Sequence, residues 1–192
     1  MRVTLNLMAC GLVSVLLSTG AQAGLLGKTL DATYYYPDSS TSYGSVTWTP
    51  PSFVIGAGVE TVGDVEGLTN LVTDFSDAQL VITLNTSLSN PTWNTTSFNG
   101  IVFALQSTGS LDIASATVDP ATTMSGFDSA RVSFTNGVLG IDWNGLSYAD
   151  GQQVVVNFAF NTTPVPEPST YGLLAAGLVL MGSIARRRLT TY

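Results

Sequence analysis

The side chains that could do chemistry in this 192-residue chain are few, and their types narrow the choices before any element is drawn. There is no histidine, and the one cysteine, Cys10, stands in an apolar N-terminal run. Without imidazole or thiol in the body of the chain, the usual general base, the commonest zinc ligands and every Ser-His or Cys-His nucleophile are missing. A serine–lysine pair would have to use Lys28. The central region holds two glutamates, Glu60 and Glu66, and paired carboxylates can hydrolyse a glycoside. Both stand among glycines, so solvated turn acids are the plainer expectation. No catalytic residue is assigned, and the chain is expected not to be an enzyme.

Binding chemistry has two sets of candidates. Asp142-x-Asn144-Gly145 and Asp64-x-Glu66 resemble fragments of calcium loops. Neither has the regular oxygen spacing and closing bidentate acid of an EF-hand, and Asx turns account for both. No metal and no cofactor are expected. The aromatic set is Trp48, Trp93 and Trp143 with Tyr34, Tyr35 and Tyr36. An exposed row of such rings could stack on sugars, whereas tryptophans in a cysteine-free domain mostly fill the core. Strand alternation puts Tyr35 on the face opposite its neighbours, so one of these rings is exposed or the strand is covered on both sides.

Charge points the same way. Between residues 24 and 163 the bases are Lys28 and Arg131 against twelve acids, which leaves −10, compared with −7 for the whole chain. So acidic a surface repels a phosphate backbone, and no nucleic acid partner is expected.

The elements that would position these residues read as strands. Runs of Thr, Val, Tyr and Phe alternate with polar residues and are punctuated by Gly, Asn, Asp, Pro and Ser. Strands are expected at 32–36, 45–49, 53–55, 68–73, 78–84, 100–105, 112–117, 130–135, 138–143 and 153–160. Asn136-Gly137 between two apolar runs predicts a type I′ hairpin with positive φ at both residues. No helical apolar period competes in this region. The expected fold is all-β, an antiparallel, jelly-roll-like β-sandwich.

Both ends of the chain read as addresses. Met1-Arg2, the apolar run from Val3 and the small-x-small pattern at Ala21 and Ala23 predict a signal peptide over 1–23, cut by signal peptidase after Ala23. A domain over 24–163 follows, then a proline-rich linker over 164–170 that cannot form a regular ladder. Residues 171–185 are apolar, and fifteen residues at about 1.5 Å each make a transmembrane helix of only about 22 Å, shorter than the roughly 30 Å hydrocarbon core. Residues 186–192 form a basic tail, with Arg186, Arg187 and Arg188 predicted to stay on the cytoplasmic side.

Val165-Pro166-Glu167-Pro168-Ser169, a short apolar span and the terminal arginine cluster, in that order, resemble the PEP-CTERM sorting signal of Gram-negative bacteria. Leu189 to Tyr192 extend past the arginines, a small departure from the pattern. The resemblance implies a precursor anchored briefly in the inner membrane with its ectodomain periplasmic. It further implies processing near Pro166-Glu167-Pro168 by an exosortase, a membrane-embedded transpeptidase, and delivery to the cell surface or beyond. Such proteins accompany exopolysaccharide and biofilm matrix. The expected function is a non-enzymatic surface or extracellular-matrix protein; the alternative is a carbohydrate-binding sandwich with extracellular polysaccharide as its partner.

Overall fold

The computed structural model describes residues 24–161 and, in the C-terminal segment, Gly172, Leu174, Ala175, Gly177, Leu178 and Val179, which are helical. The expected signal peptide, linker and arginine cluster lie outside the described residues, as does most of the expected membrane helix. Among the described residues no helix is long and apolar enough to cross a membrane.

Eleven strands follow in chain order: β1 Thr29–Tyr35, β2 Val46–Thr49, β3 Ser52–Val54, β4 Val59–Val65, β5 Thr69–Phe75, β6 Gln79–Thr86, β7 Gly100–Leu105, β8 Ile113–Val118, β9 Val132–Thr135, β10 Val138–Asp142 and β11 Gln152–Phe160. A 3-10 turn at Ser129–Arg131 leads into β9 and is capped by the Asp128 carboxylate, which accepts from Ala130 N. The strands form a five-stranded sheet, β3-β1-β7-β10-β9, and a six-stranded sheet, β2-β4-β5-β6-β11-β8. Every pairing is antiparallel.

Alternation along each strand decides which residues face inward. On the six-stranded sheet Leu71 pairs with Leu84, Thr73 with Ile82, and Phe75 with Leu80, all buried. On the other, Tyr34 pairs with Ile101 and Ala32 with Phe103, while Leu139 and Ile141 flank them from β10. The two inner faces meet at Phe75 and Phe103, whose rings lie edge to face with centroids 5.0 Å apart. The core is a sandwich core, as the pattern predicts.

Within the sandwich β4, β5 and β6 run consecutively in the six-stranded sheet as a meander. One expectation about a turn is corrected. At the 136–137 hairpin only Asn136 has a positive φ, 52°. Gly137 lacks the positive φ that the second central residue of a type I′ turn requires.

One strand, β4, lies where Gly56, Gly58, Gly63 and Gly67 read as loop. Gly63 is inside β4 because the Trp48 indole lies against its backbone: a Cβ at this position would sit 2.8 Å from the ring. Gly63→Ala is expected to lower stability by about 1–3 kcal/mol, since the buried indole must shift to admit the methyl group. An unchanged denaturation midpoint for the variant would show that the ring moves freely.

Glu60 is likewise a strand residue and not a turn acid. It sits at a bulge where Val59 opposes Asp74 and Thr61 opposes Thr73. Its carboxylate accepts the Phe75 amide at 2.6 Å, at the end of β5, and the Gly56 amide at 3.0 Å, in the connection before β4.

Candidate aromatic cleft

Four connections gather at one end of the sandwich: residues 36–45 after β1, the tight β4–β5 turn, residues 87–99 after β6, and residues 143–151 after β10. They enclose a cleft of about 180 Å³. Its floor is Tyr34, Trp93, Asn99 and Tyr148, and its rim includes Tyr36, Tyr43, Glu66, Leu68 and Leu88.

The floor is built on a continuous aromatic stack. Tyr148 lies on Trp93 with centroids 4.6 Å apart and planes 12° apart, and Trp93 lies on Trp143 at 5.4 Å. Below the stack runs a buried hydrogen-bond chain. Trp143 Nε1 donates to Tyr34 Oη at 2.8 Å, Tyr34 Oη donates to Asn99 Oδ1 at 2.7 Å, and Asn99 Nδ2 donates to the Asn94 carbonyl at 3.1 Å. Each polar group is satisfied, so the chain rigidifies the floor. Burial pushes the Tyr34 hydroxyl well above its ordinary range, so it stays protonated and keeps its donor role. Tyr148 shares a hydrogen bond with Thr69 Oγ1 at 2.9 Å, and its hydroxyl is also raised by burial.

Asp142 and Arg131 hold the neighbouring connection in place. Asp142 Oδ1 accepts the Asn99 and Asn144 amides, each at 3.0 Å, and Oδ2 accepts Asn144 Nδ2 at 2.7 Å. This is the Asx turn expected for Asp142-x-Asn144, with the carboxylate occupied by protein donors. The Arg131 guanidinium donates to the carbonyls of Gly126, Asp142 and Asn144. Asp64 similarly caps the β4–β5 turn, accepting Gly67 N at 2.8 Å, and does not share a site with Glu66. Among the described residues no group of three acidic or other metal-ligating side chains converges.

The tryptophan platform does not form. Trp48, Trp93 and Trp143 are 9%, 8% and 0% exposed. They face inward because each is at a position where alternation or loop closure turns it to the core, which is the core-filling outcome expected of them. Tyr34 is buried as well, whereas Tyr35, on the other face of β1, and Tyr36 are half-buried. The carboxylates of Glu60 and Glu66 do not form a hydrolytic pair either. They lie at opposite ends of β4, about 20 Å apart at roughly 3.3 Å per residue, whereas a glycosidase pair stands about 5–9.5 Å apart.

Two rings that shape the cleft, Tyr43 at the rim and Tyr148 in the floor, escape a reading by sequence because they lie in irregular connections with no periodicity. Tyr36 and Tyr43 meet edge to face at 5.5 Å, and the Tyr43 hydroxyl donates to Glu66 Oε1. That hydrogen bond, with partial burial, raises the Tyr43 hydroxyl above its ordinary range. A signal for Glu66 did exist: Gly67 follows it between two apolar runs, and Glu66, Gly67 and Leu68 connect β4 to β5.

Comparison with curated proteins and with solved structures returns no match. The family model described as the PEP-CTERM protein-sorting motif matches residues 164–188, a stretch that includes Val165, Pro166, Glu167, Pro168, Ser169 and Arg186 to Arg188. The chain carries, at its C-terminal end, a PEP-CTERM protein-sorting motif.

Proposed function

We propose that this chain is a non-enzymatic protein exported from a Gram-negative cell, held briefly in the inner membrane by its C-terminal span, and released to the cell surface or extracellular matrix by an exosortase. The match of the sorting motif to residues 164–188 carries this reading. The motif implies export and sorting at the membrane. Signal peptidase acts first, after Ala23, and exosortase acts near Pro166-Glu167-Pro168. The cargo is the sandwich, an acidic domain suited to remaining soluble outside the cell. Exopolysaccharide and biofilm matrix are its proposed setting.

Intact-mass measurement of the protein recovered from cells with an active exosortase tests both cuts. The expected product begins at Gly24 and lacks Arg186, Arg187 and Arg188. Recovery of a product that retains the three arginines would overturn the sorting reading.

A second reading, a carbohydrate-binding module, is favoured by the aromatic cleft, since Tyr36 and Tyr43 offer the partly exposed rings that the tryptophans do not. Retention of the protein on extracellular polysaccharide, lost on Tyr36→Ala, is its expected outcome.

A further inference from the structure

Glu66 is an unusual residue for the place it occupies. It is the first central residue of the β4–β5 turn, with φ 56° followed by 69° at Gly67, and Leu68 N closes the turn on the Val65 carbonyl at 3.0 Å. Positive φ at both positions suits Asn, Asp or Gly, whose short or absent side chains tolerate the left-handed region. A glutamate there is costlier to the backbone than asparagine, aspartate or glycine. What it supplies is a carboxylate at the lip of the cleft. One oxygen is oriented by the Tyr43 hydroxyl; the other accepts no hydrogen bond among the described residues. Residues in costly backbone conformations concentrate at functional sites.

The surroundings of that carboxylate select for charge. The two bases of the domain are committed elsewhere, Lys28 to the Ser110 carbonyl at 3.1 Å and to Asp112 at 3.8 Å, and Arg131 to its three carbonyls. Neither lines the cleft. Tyr36 and Tyr43 flank the mouth, and aromatic rings attract a cation through their quadrupole. Leu68 and Leu88, 42% and 41% exposed, give the rim apolar surface for the carbon around such a charge. The volume of about 180 Å³ lies below the roughly 300 Å³ at which drug-sized sites begin, so the cleft suits a single ring or head group.

We propose that the cleft binds a compact ammonium compound, with Glu66 as its counter-ion and Tyr36 and Tyr43 as its aromatic walls. The inference concerns the cleft alone and stands independently of how the chain is sorted. Two sources share this chemistry, an amino sugar and a choline-type head group.

Titration calorimetry on the full chain in a polyoxyethylene detergent tests it with two matched pairs: glucosamine against N-acetylglucosamine, and choline against its neutral isostere 3,3-dimethylbutan-1-ol. At least one cation is expected to bind saturably and its neutral partner at least roughly tenfold more weakly, the scale of one lost charge interaction. Preference for glucosamine identifies the amino sugar; preference for choline identifies the quaternary head group. Glu66→Asn is expected to abolish that preference while keeping or raising the melting temperature, since asparagine suits the turn. Glu66→Gln keeps the side-chain shape and an acceptor for Tyr43, and is expected to lose the preference too. The proposal is overturned if neither cation binds, if the neutral compounds bind as well as the charged ones, or if both variants bind as the parent does.

Discussion

Trp143→Ala is expected to remove roughly 3–5 kcal/mol of folding stability, a large share of what a domain of this size has. The side chain is fully buried and stacks on Trp93 at 5.4 Å. Its loss opens a cavity beneath the cleft floor, and the ring of Trp93 loses the surface it rests on. The change also deletes the donor to Tyr34 Oη, the head of the chain that continues to Asn99 and Asn94. Trp143→Phe separates the two contributions. It keeps most of the apolar volume and removes the N–H, and Tyr34 retains Asn99 as its acceptor, so a loss of about 1–3 kcal/mol is expected. Chemical denaturation of both variants, followed by tryptophan fluorescence, checks the order. A Trp143→Ala loss below about 1 kcal/mol would mean that the floor collapses to fill the gap and that the stack is not a framework.

The second large effect concerns the motif. Glu167→Ala is expected to leave the precursor in the membrane fraction and to remove the processed product from the surface and medium. Pro166 and Pro168 restrict the backbone on either side to extended conformations and remove its donors. A recognising enzyme must therefore read the segment largely through side chains, and the single carboxylate between two prolines is its most distinctive group. Fractionation followed by immunoblotting measures the outcome. Release of the variant at the parent level would show that the carboxylate is not read, and would leave the arginine cluster and the apolar span as the recognised parts.

Much of the architecture is legible from local pattern. Ten strands lie within a few residues of where alternation places them, because one buried face imposes period two on every strand of a sandwich. The exception, β4, shows what local pattern misses. Its glycine at 63 is a packing residue shaped by Trp48, and its glutamate at 60 is a bulge residue capping Phe75; both look like loop when their partners are unknown. Similarly, Asn136-Gly137 announces a hairpin, but its turn type answers to the neighbouring segment. Leu105 N donates to the Gly137 carbonyl at 2.7 Å, and Leu111 N to that of Asn136 at 2.9 Å.

The cleft was less legible than the fold. Tryptophans attract attention in a sequence, yet the buried ones line the floor or fill the core, while the tyrosines at 36 and 43 meet the solvent. Nothing in the order of residues places Glu66 beside Tyr43, or Trp93 upon Tyr148, because these contacts join connections 23 and 55 residues apart.

The sequence by itself determined what does not depend on a fold: the missing imidazole, the acidic balance, and the sorting motif at 164–188, which is recognised as a linear segment. It also determined the all-β class, through a periodicity that each strand carries alone. Tertiary structure decided the rest. Strand order, the burial of the three tryptophans and the placing of Glu66 at an aromatic mouth all arise when two sheets close on one another. Those are long-range contacts, whose partners are selected by packing across the sandwich and leave no local mark.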